Sequence, residues 1–283
     1  MKSIHHNIND LLTIVIVSYK SSKTIEPILN RYSHLFKIII IENSRDKNLR
    51  KKIKKKYKKT SIYFKDNVGY GCAINYASKY IKTKYFFAIN PDLKFNLTCL
   101  KKLLEAAEKL KGNFGSISPL MTKKNNFNRK EIELVKSING SAMFFVTNIF
   151  KKLGGFDKNI WLFFEENDLC KRILREKYFI YNINSALAYH SGGKSMDQQK
   201  NSSEYNMLLT KYWHGQWSRY YFCRKHFGAF KAILIIFPKF TKLIFQLVIT
   251  FFYNPKKSKI YFYQLYGSIC SIIGTKSFLR PKS

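Results

Sequence analysis

Residues 11–21 read LLTIVIVSYKS. Seven apolar and β-branched residues, Leu11 to Val17, run without a charge and then break into Ser18, Tyr19 and Lys20. A run this short, β-branched from Thr13 to Val17, reads as a strand buried on both faces. Working outward, the same signature recurs at Lys37–Ile41, Ser61–Phe64 and Tyr85–Ile89. Between these runs lie stretches with helical periodicity: about Lys23 to His34, the Lys-rich segment 50–59, Gly69–Ile81 with Ala73, Ala77 and Tyr80 on one face, and Thr98–Lys111. Strands alternating with helices at this spacing imply βαβ units, hence an α/β fold with a mainly parallel sheet flanked by helices.

In such sheets, ligands bind beyond the carboxyl ends of the strands. Those ends carry Ser18–Tyr19, Glu42–Asn43 and Asn90–Pro91–Asp92. A further polar group, Asn67, Gly69, Gly71 and Asn75, opens a helix. The layout predicts a nucleotide site along one edge of the sheet. Strand 1 is followed neither by GxGxxG nor by GxxxxGK[ST], which disfavours a dinucleotide-dependent dehydrogenase and a P-loop ATPase.

The pattern changes after about residue 137. Ser141–Thr147 reads as a strand and Asn148–Leu153 as a short helix, followed by the turn Gly154–Gly155–Phe156–Asp157. Residues 164–169, FEENDL, open a helix running to about Lys177, with Leu169, Ile173 and Leu174 expected on its buried side. Tyr178–Tyr189 looks extended and ends at His190, ahead of a Ser-Gly-Gly-Lys-Ser loop. Glu204–Phe227 is expected to be helical.

FEENDL is the sharpest anomaly. Fifty-one Lys and Arg face only seventeen Asp and Glu, a formal charge of +34, yet Glu165, Glu166 and Asp168 fall within four positions. Carboxylates in a first helical turn complement the helix dipole, and that alone accounts for some of the crowding. Adjacent carboxylates beside an aromatic wall (Trp161 to Phe164) also acquire divided proton affinities, which suits acid–base work. Asp92 carries a similar double reading: a turn residue, or a carboxylate that holds a divalent cation against a diphosphate. His190, before a Gly-rich basic loop, is either structural or a metal or phosphate ligand.

Taken together and in order, these stretches resemble the large inverting glycosyltransferase family two, of GT-A fold, and within it the rhamnosyltransferase-like branch. The matching segments are TIVIVSYKS (13–21), IIIIENS (38–44), NVGYGCAIN (67–75), FFAINPDL (86–93), NGSAMFFVTNIFKKLGGFD (139–157), FFEENDLCKRI (163–173) and HSGGKS (190–195). The resemblance covers roughly residues 11–226. It implies that Ser18, Tyr19, Glu42, Asn43, Asp66, Asn67, Gly71, Asn75, Asn90 and Asp92 line the nucleotide-sugar site. Glu42 stands where the family usually has an Asp on the base, and Asn90 replaces the first Asp of the DxD element. The resemblance further implies that Asp92 and His190 address a divalent cation, Mg²⁺ or Mn²⁺. Glu166 takes the place of the catalytic base, with Asp168 its nearest rival and Glu165 a supporting acceptor; the aromatics before them wall the acceptor. The donor this branch suggests is dTDP-L-rhamnose, with a UDP-sugar as the alternative, and the acceptor is a hydroxyl of a glycan or lipid-linked glycan in surface-polysaccharide synthesis.

The remaining composition bears on partners. A charge of +34 suits an anionic partner, and the excess of Lys with Ile, Asn, Tyr and Phe also fits AT-rich codon bias. A basic nucleic-acid-binding module would interleave aromatics with the run at 50–59, where only Tyr57 occurs, so no nucleic acid is expected. A non-catalytic family member is the third reading, prompted by Glu42, Asn90 and Glu166. Five cysteines without a CxxC pair fit reduced thiols and argue against zinc. Neither the polar first ten residues nor Leu11–Val17 reads as a signal peptide or span, which suggests a cytoplasmic catalytic domain. The expected division is a catalytic domain, 1–226, and an apolar amphipathic helical extension, 227–283. Lys231, Pro238, Lys239 and Lys242 interrupt that extension, and its longest uncharged part, Leu243–Tyr253, is too short to span a bilayer. It is expected to dock peripherally at the anionic inner face of the plasma membrane.

Overall fold

The computed structural model describes residues 11–122, 130–190 and 201–281. Two compact units emerge. The first comprises residues up to Asp157 and Glu166–Asp197; the second comprises Lys158–Glu165 and Gln198–Ser283. The division differs from the expected boundary at 226/227: the long helix before that point, and the eight residues from Lys158, group with the C-terminal helices.

The first unit is a mixed sheet with helices on both faces. Its elements are β1 (Leu12–Ser18), α1 (Ser22–Tyr32), β2 (Lys37–Glu42), α2 (Lys47–Lys56), β3 (Thr60–Phe64), α3 (Tyr70–Ser78), β4 (Tyr85–Ile89), β5 (Leu93–Phe95) and α4 (Leu97–Lys109). β6 (Ser116–Met121), β7 (Ile132–Leu134), β8 (Ala142–Val146), α5 (Thr147–Lys152), α6 (Glu165–Arg175) and β9 (Ile180–His190) follow. Among the described residues the sheet order is β3-β2-β1-β4-β8-β6-β9-β5, with β7 paired to β9. β1 lies parallel between β2 and β4, and β8 turns the sheet antiparallel. Alternation along the strands sorts the core into two layers. Leu12, Ile14 and Ile16 pack with α1, α2 and α4, while Val15, Ile39 and Ile41 pack with α3, α5 and α6.

The parallel half matches the expectation from residues 11–89. Three short strands were not foreseen: β5, β6 and β7. β5 and β7 have three residues each, and β6 contains Pro119 at a register shift against β9, so none offers a full strand pattern. Two face assignments are corrected. Tyr80 is 40% exposed because α3 ends at Ser78, before its last expected turn. Leu174 is 38% exposed, while Leu169, Cys170 and Ile173 form the buried stripe of α6.

The second unit is helical: α7 (Asn201–Phe227), α8 (Ala229–Tyr253) and α9 (Pro255–Ile272). Asn254 caps α9 by accepting from Lys257 N at 3.0 Å, with Pro255 at the first helical position. α7 and α9 cross closely because Gly267 has no side chain; a Cβ there would lie 2.3 Å from the Trp213 carbonyl oxygen. The tail after α9 is tied back to α7, with Trp217 Nε1 donating to Thr275 O (3.0 Å) and the His214 ring meeting Leu279 O (2.7 Å). Burial pushes the His214 imidazole down to about 4, so it sits neutral in this contact. α8 runs unbroken through Pro238 and Lys239, and by length and composition alone it suffices to cross a membrane. The lysines and proline that divide it in the sequence do not divide the helix.

Gly115 gives a direct check on the first unit. A Cβ at this position would sit 2.3 Å from Ile173 Cγ2. Gly115→Ala is expected to cost roughly 1–3 kcal/mol by overpacking. Adding Ile173→Ala should recover part of that loss in a denaturant-melt double-mutant cycle, and simple additivity would contradict the contact.

Candidate functional site

The parallel register sets the first half of the site. Ser18 stands beside Glu42 at the ends of β1 and β2. Asn43 N donates to Ser18 O (2.8 Å) and Asn67 N to Asn43 O (3.2 Å), tying three loops together at the strand ends. Lys20, Arg45 and Asn67 in these loops have positive φ, an uncommon state for non-glycine residues that gathers at functional sites. Glu42 is fully buried. Its Oε1 accepts from Ser44 N (2.6 Å) and from the Ser44 hydroxyl. Its Oε2 has no hydrogen-bond partner among the described residues. Burial raises the Glu42 pKa, offset in part by the Ser18 and Ser44 hydroxyls. Burial, then the Glu42 carboxylate, raises that of Tyr19.

The second half lies at the other edge of β4. Antiparallel pairing of β5 with β9 puts His190 opposite Leu93, next to Asp92. His190 Nε2 lies 3.0 Å from Asp92 Oδ1 and 3.2 Å from Asn90 Nδ2. The Asp92 side chain is 4% exposed and that of His190 23%. Thus Asn90, Asp92 and His190 converge across a hundred residues of chain. Two donors on adjacent corners of an octahedral Mg²⁺ or Mn²⁺ site stand about 3 Å apart. One carboxylate plus one imidazole at this spacing therefore fits such a cation, with the rest of its shell left to water and phosphate oxygens. Among the described residues no group of three or more His, Cys, Asp or Glu side chains is placed to hold a metal ion. The Ser191–Ser195 loop lies outside the described residues.

The FEENDL carboxylates separate sharply. Glu165 is buried at the start of α6. Glu166 is half-buried, and its Oε1 accepts from Asn167 Nδ2 at 2.9 Å. Its side chain lies over the Gly140 backbone, where a Cβ would meet Glu166 Cδ at 3.5 Å. Burial raises the Glu166 pKa. Asp168 is fully buried, and its Oδ2 accepts from Arg172 Nε at 2.9 Å. The same guanidinium donates to Leu153 O (2.8 Å) and Gly155 O (2.6 Å). Asp168 is thus occupied in a clamp on the Gly154–Gly155 turn, whereas Glu166 is half-buried with a raised proton affinity.

Other expected nucleotide contacts have structural work. The Asn75 amide bonds the Phe156 backbone at both ends, Nδ2 to O and Oδ1 from N, each 2.8 Å. Gly71 is bare because Phe156 packs on it; a Cβ would lie 2.8 Å from Phe156 Cβ. Asp66 is exposed and paired with Arg45 at 2.5 and 2.7 Å. Sequence reasoning missed Arg45, Ser44 and Arg172. A Ser two residues beyond a strand-end Glu is a local signal for Ser44, and Arg172 stands four residues after Asp168, a helical ion-pair spacing.

The fold is that of the GT-A class: a mixed α/β sheet, here with polar and carboxylate residues gathered at its strand ends. The chain belongs to Glycosyl transferase family 2, whose family model matches residues 13–170. It is 24% identical over 231 residues to the low-salt glycan biosynthesis hexosyltransferase Agl10 of Haloferax volcanii, covering 71% of this chain and 73% of that protein. Among solved structures it resembles GalNAc-T7 with UDP, GalNAc and Mn²⁺ (TM-score 0.56, 11% identity, 77% of this chain), of which it spans about half, 51%. It also resembles TarS 1-349 of S. aureus (TM-score 0.53, 12% identity, 94% of this chain and 92% of that one). At these identities the two structures speak for the fold.

Two results should follow from the carboxylate environments. Asp168→Asn leaves Arg172 without its charge partner and is expected to cost roughly 3 kcal/mol of stability. Glu42 titrates with a folded-state pKa above its unfolded one. Its contribution to stability is therefore present below the ordinary carboxylate pKa and lost as pH rises through the raised one. The Tm difference between Glu42→Gln and wild type should grow in favour of the variant from pH 4 to pH 7, and a flat difference would refute the assignment.

Proposed function

We propose that the protein transfers a sugar from a nucleotide-diphosphate donor to a hydroxyl of a glycan or lipid-linked acceptor, with inversion at the anomeric carbon. The observation that carries this reading is the separation of Glu166 from Asp168: one carboxylate half-buried with raised proton affinity, the other spent on Arg172. A base with a pKa moved towards the working pH combines the free carboxylate form with useful driving force for proton transfer. Glu166 takes the acceptor proton as that oxygen attacks the face opposite the leaving diphosphate; a single displacement of this kind inverts the centre and needs no covalent intermediate. Glu165 supports the proton acceptor on the same helix.

The donor lies along the strand ends. The Glu42 Oε2 acceptor and Asn43 suit the donor groups of a nucleobase, with Tyr19 and Asn67 beside them and Ser18 behind. Asp92 and His190 would hold the divalent cation, Mg²⁺ or Mn²⁺, with Asn90 orienting the imidazole. Such a cation supplies charge neutralisation for the departing diphosphate. The α3 N-terminus at Gly69 and Tyr70 adds backbone N–H groups suited to phosphate. dTDP-L-rhamnose is the favoured donor and a UDP-sugar the alternative; the site of action is the cytoplasmic side of the plasma membrane, in surface-polysaccharide synthesis. The catalytic domain is taken as residues 1–226.

A thermal-shift panel of dTDP- and UDP-sugars, with and without Mg²⁺ or Mn²⁺, tests the donor reading, because a ligand specific for the folded state raises its stability. A metal-dependent shift with a nucleotide sugar is expected. No shift with any donor, or with free UDP and dTDP, would overturn the reading. Asp92→Ala should abolish the metal-dependent part of the shift. Glu166→Gln should keep donor affinity and lose turnover by at least about 10²-fold. Because the carboxylate must be ionised to act, wild-type kcat should fall on the acid side at a pH above the ordinary carboxylate range; the same pattern in Asp168→Asn instead would move the base by two residues.

A further inference from the structure

α8 is amphipathic in the reverse sense of a helix on a water-soluble surface. Ala232, Ile236, Leu243 and Thr250 are its buried residues. At 100° per residue they fall within a sector of about 40°. The diametrically opposite stripe, about 80° wide, holds Phe230, Leu234, Phe237, Phe245, Val248 and Phe252, with Thr241 at its middle turning its hydroxyl back onto Phe237 O at 3.2 Å. Every one of the apolar residues in the stripe is more than half exposed, up to 85% at Phe252. A contiguous exposed apolar face of this length marks an interaction surface. Lys231 and Lys242 run along one margin of the stripe.

Charge decides what covers it. From Tyr205 to the end of the chain there are thirteen Lys and Arg and no Asp or Glu. Lys256, Lys257 and Lys259 follow at the start of α9, all exposed. A second copy laid on this face would bring like charge against like charge with no carboxylate to offset it. An anionic bilayer supplies both the apolar phase for the stripe and the negative headgroups for its lysine margin. We infer that α8 lies flat in the headgroup–acyl boundary of an anionic bilayer. The stripe of Phe230 to Phe252 enters the acyl region and the lysines meet lipid phosphates. The buried seam extends from Ala232 to Thr250, almost the whole helix, so α8 stays packed along its length rather than standing free as a span. This goes beyond the transfer reaction and does not depend on the donor or on Glu166.

The test uses the full chain with vesicles of phosphatidylcholine alone or with 40% phosphatidylglycerol. Flotation should show binding to the anionic vesicles, weakened at least tenfold on phosphatidylcholine alone and in high salt. F237S/F245S/F252S, three exposed positions whose change leaves the core intact by circular dichroism, should bind about 100-fold or more weakly. K231Q/K242Q/K256Q/K257Q should lose the preference for phosphatidylglycerol while keeping the residual apolar binding. Single Trp substitutions at Leu234, Phe245 and Phe252, read by depth-dependent quenching with brominated lipids, separate lying from spanning. The outer two lie about 27 Å apart along the helix. Equal shallow depths support the inference, and depths graded across the bilayer overturn it. Absence of vesicle binding together with a dimer that F237S/F245S/F252S disperses would overturn it in favour of a second copy.

Discussion

One guanidinium holds together the half of the first unit that carries α6. Arg172 joins the buried Asp168 carboxylate to the carbonyls of Leu153 and Gly155, so a single side chain on α6 fixes the turn that leaves α5. That turn needs glycine, since Gly154 and Gly155 have φ of +76° and +67°. Asn75 grips the next residue, Phe156, from α3, and Phe156 fills the space that Gly71 leaves. The α3 N-terminus and the α6 carboxylates are therefore referred to one three-residue turn. A buried charge is tolerable here because its partner is itself held by two backbone carbonyls. The geometry of Glu166 rests on this arrangement, although Glu166 itself takes no part in it.

Much of this was legible. The β-branched runs between residues 11 and 89 specify the parallel strands and bring the polar residues at their ends to one edge of the sheet, because parallel βαβ units leave little choice of topology. Residues 90 and 190 could be linked only through the family resemblance, since β5 has three residues and its pairing with β9 is a long-range event that no local periodicity encodes. Side-chain employment was the least readable property. Asn75 and Gly71 sit at the start of a helix beside the expected phosphate site, and nothing in the sequence says that Phe156, eighty residues on, consumes both. Tyr80 and Leu174 were misplaced for simpler reasons: α3 stops at Ser78, before Tyr80, and Leu174 stands about 100° around α6 from Ile173, off the buried stripe.

The second unit shows the opposite relation between sequence and structure. Charges and a proline break residues 229–253 into short pieces when read linearly, yet the helix is continuous. Pro238 is tolerated on the exposed side, close to the outward stripe. Lys231 and Lys242 fall on one margin instead of cutting through the apolar face. Linear spacing overstated the interruptions because a helix redistributes neighbours around a cylinder.

The scarcity of carboxylates gives their distribution its meaning. Among the described residues four carboxylates, Glu42, Asp92, Glu165 and Asp168, are buried, and Glu166 is partly so. Burial of a carboxylate is costly unless hydrogen bonds or opposite charge offset it. Four of the five show how differently that cost is met: Ser44 at one oxygen of Glu42, His190 beside Asp92, Arg172 on Asp168 and Asn167 on Glu166. Carboxylates held in such different surroundings can divide binding, charge balance and proton transfer among themselves. A chain with a surplus of acids could meet these needs by chance. In one with a formal charge of +34, five carboxylates withdrawn from a surface that has so few are best explained by work that only a shielded carboxylate can do.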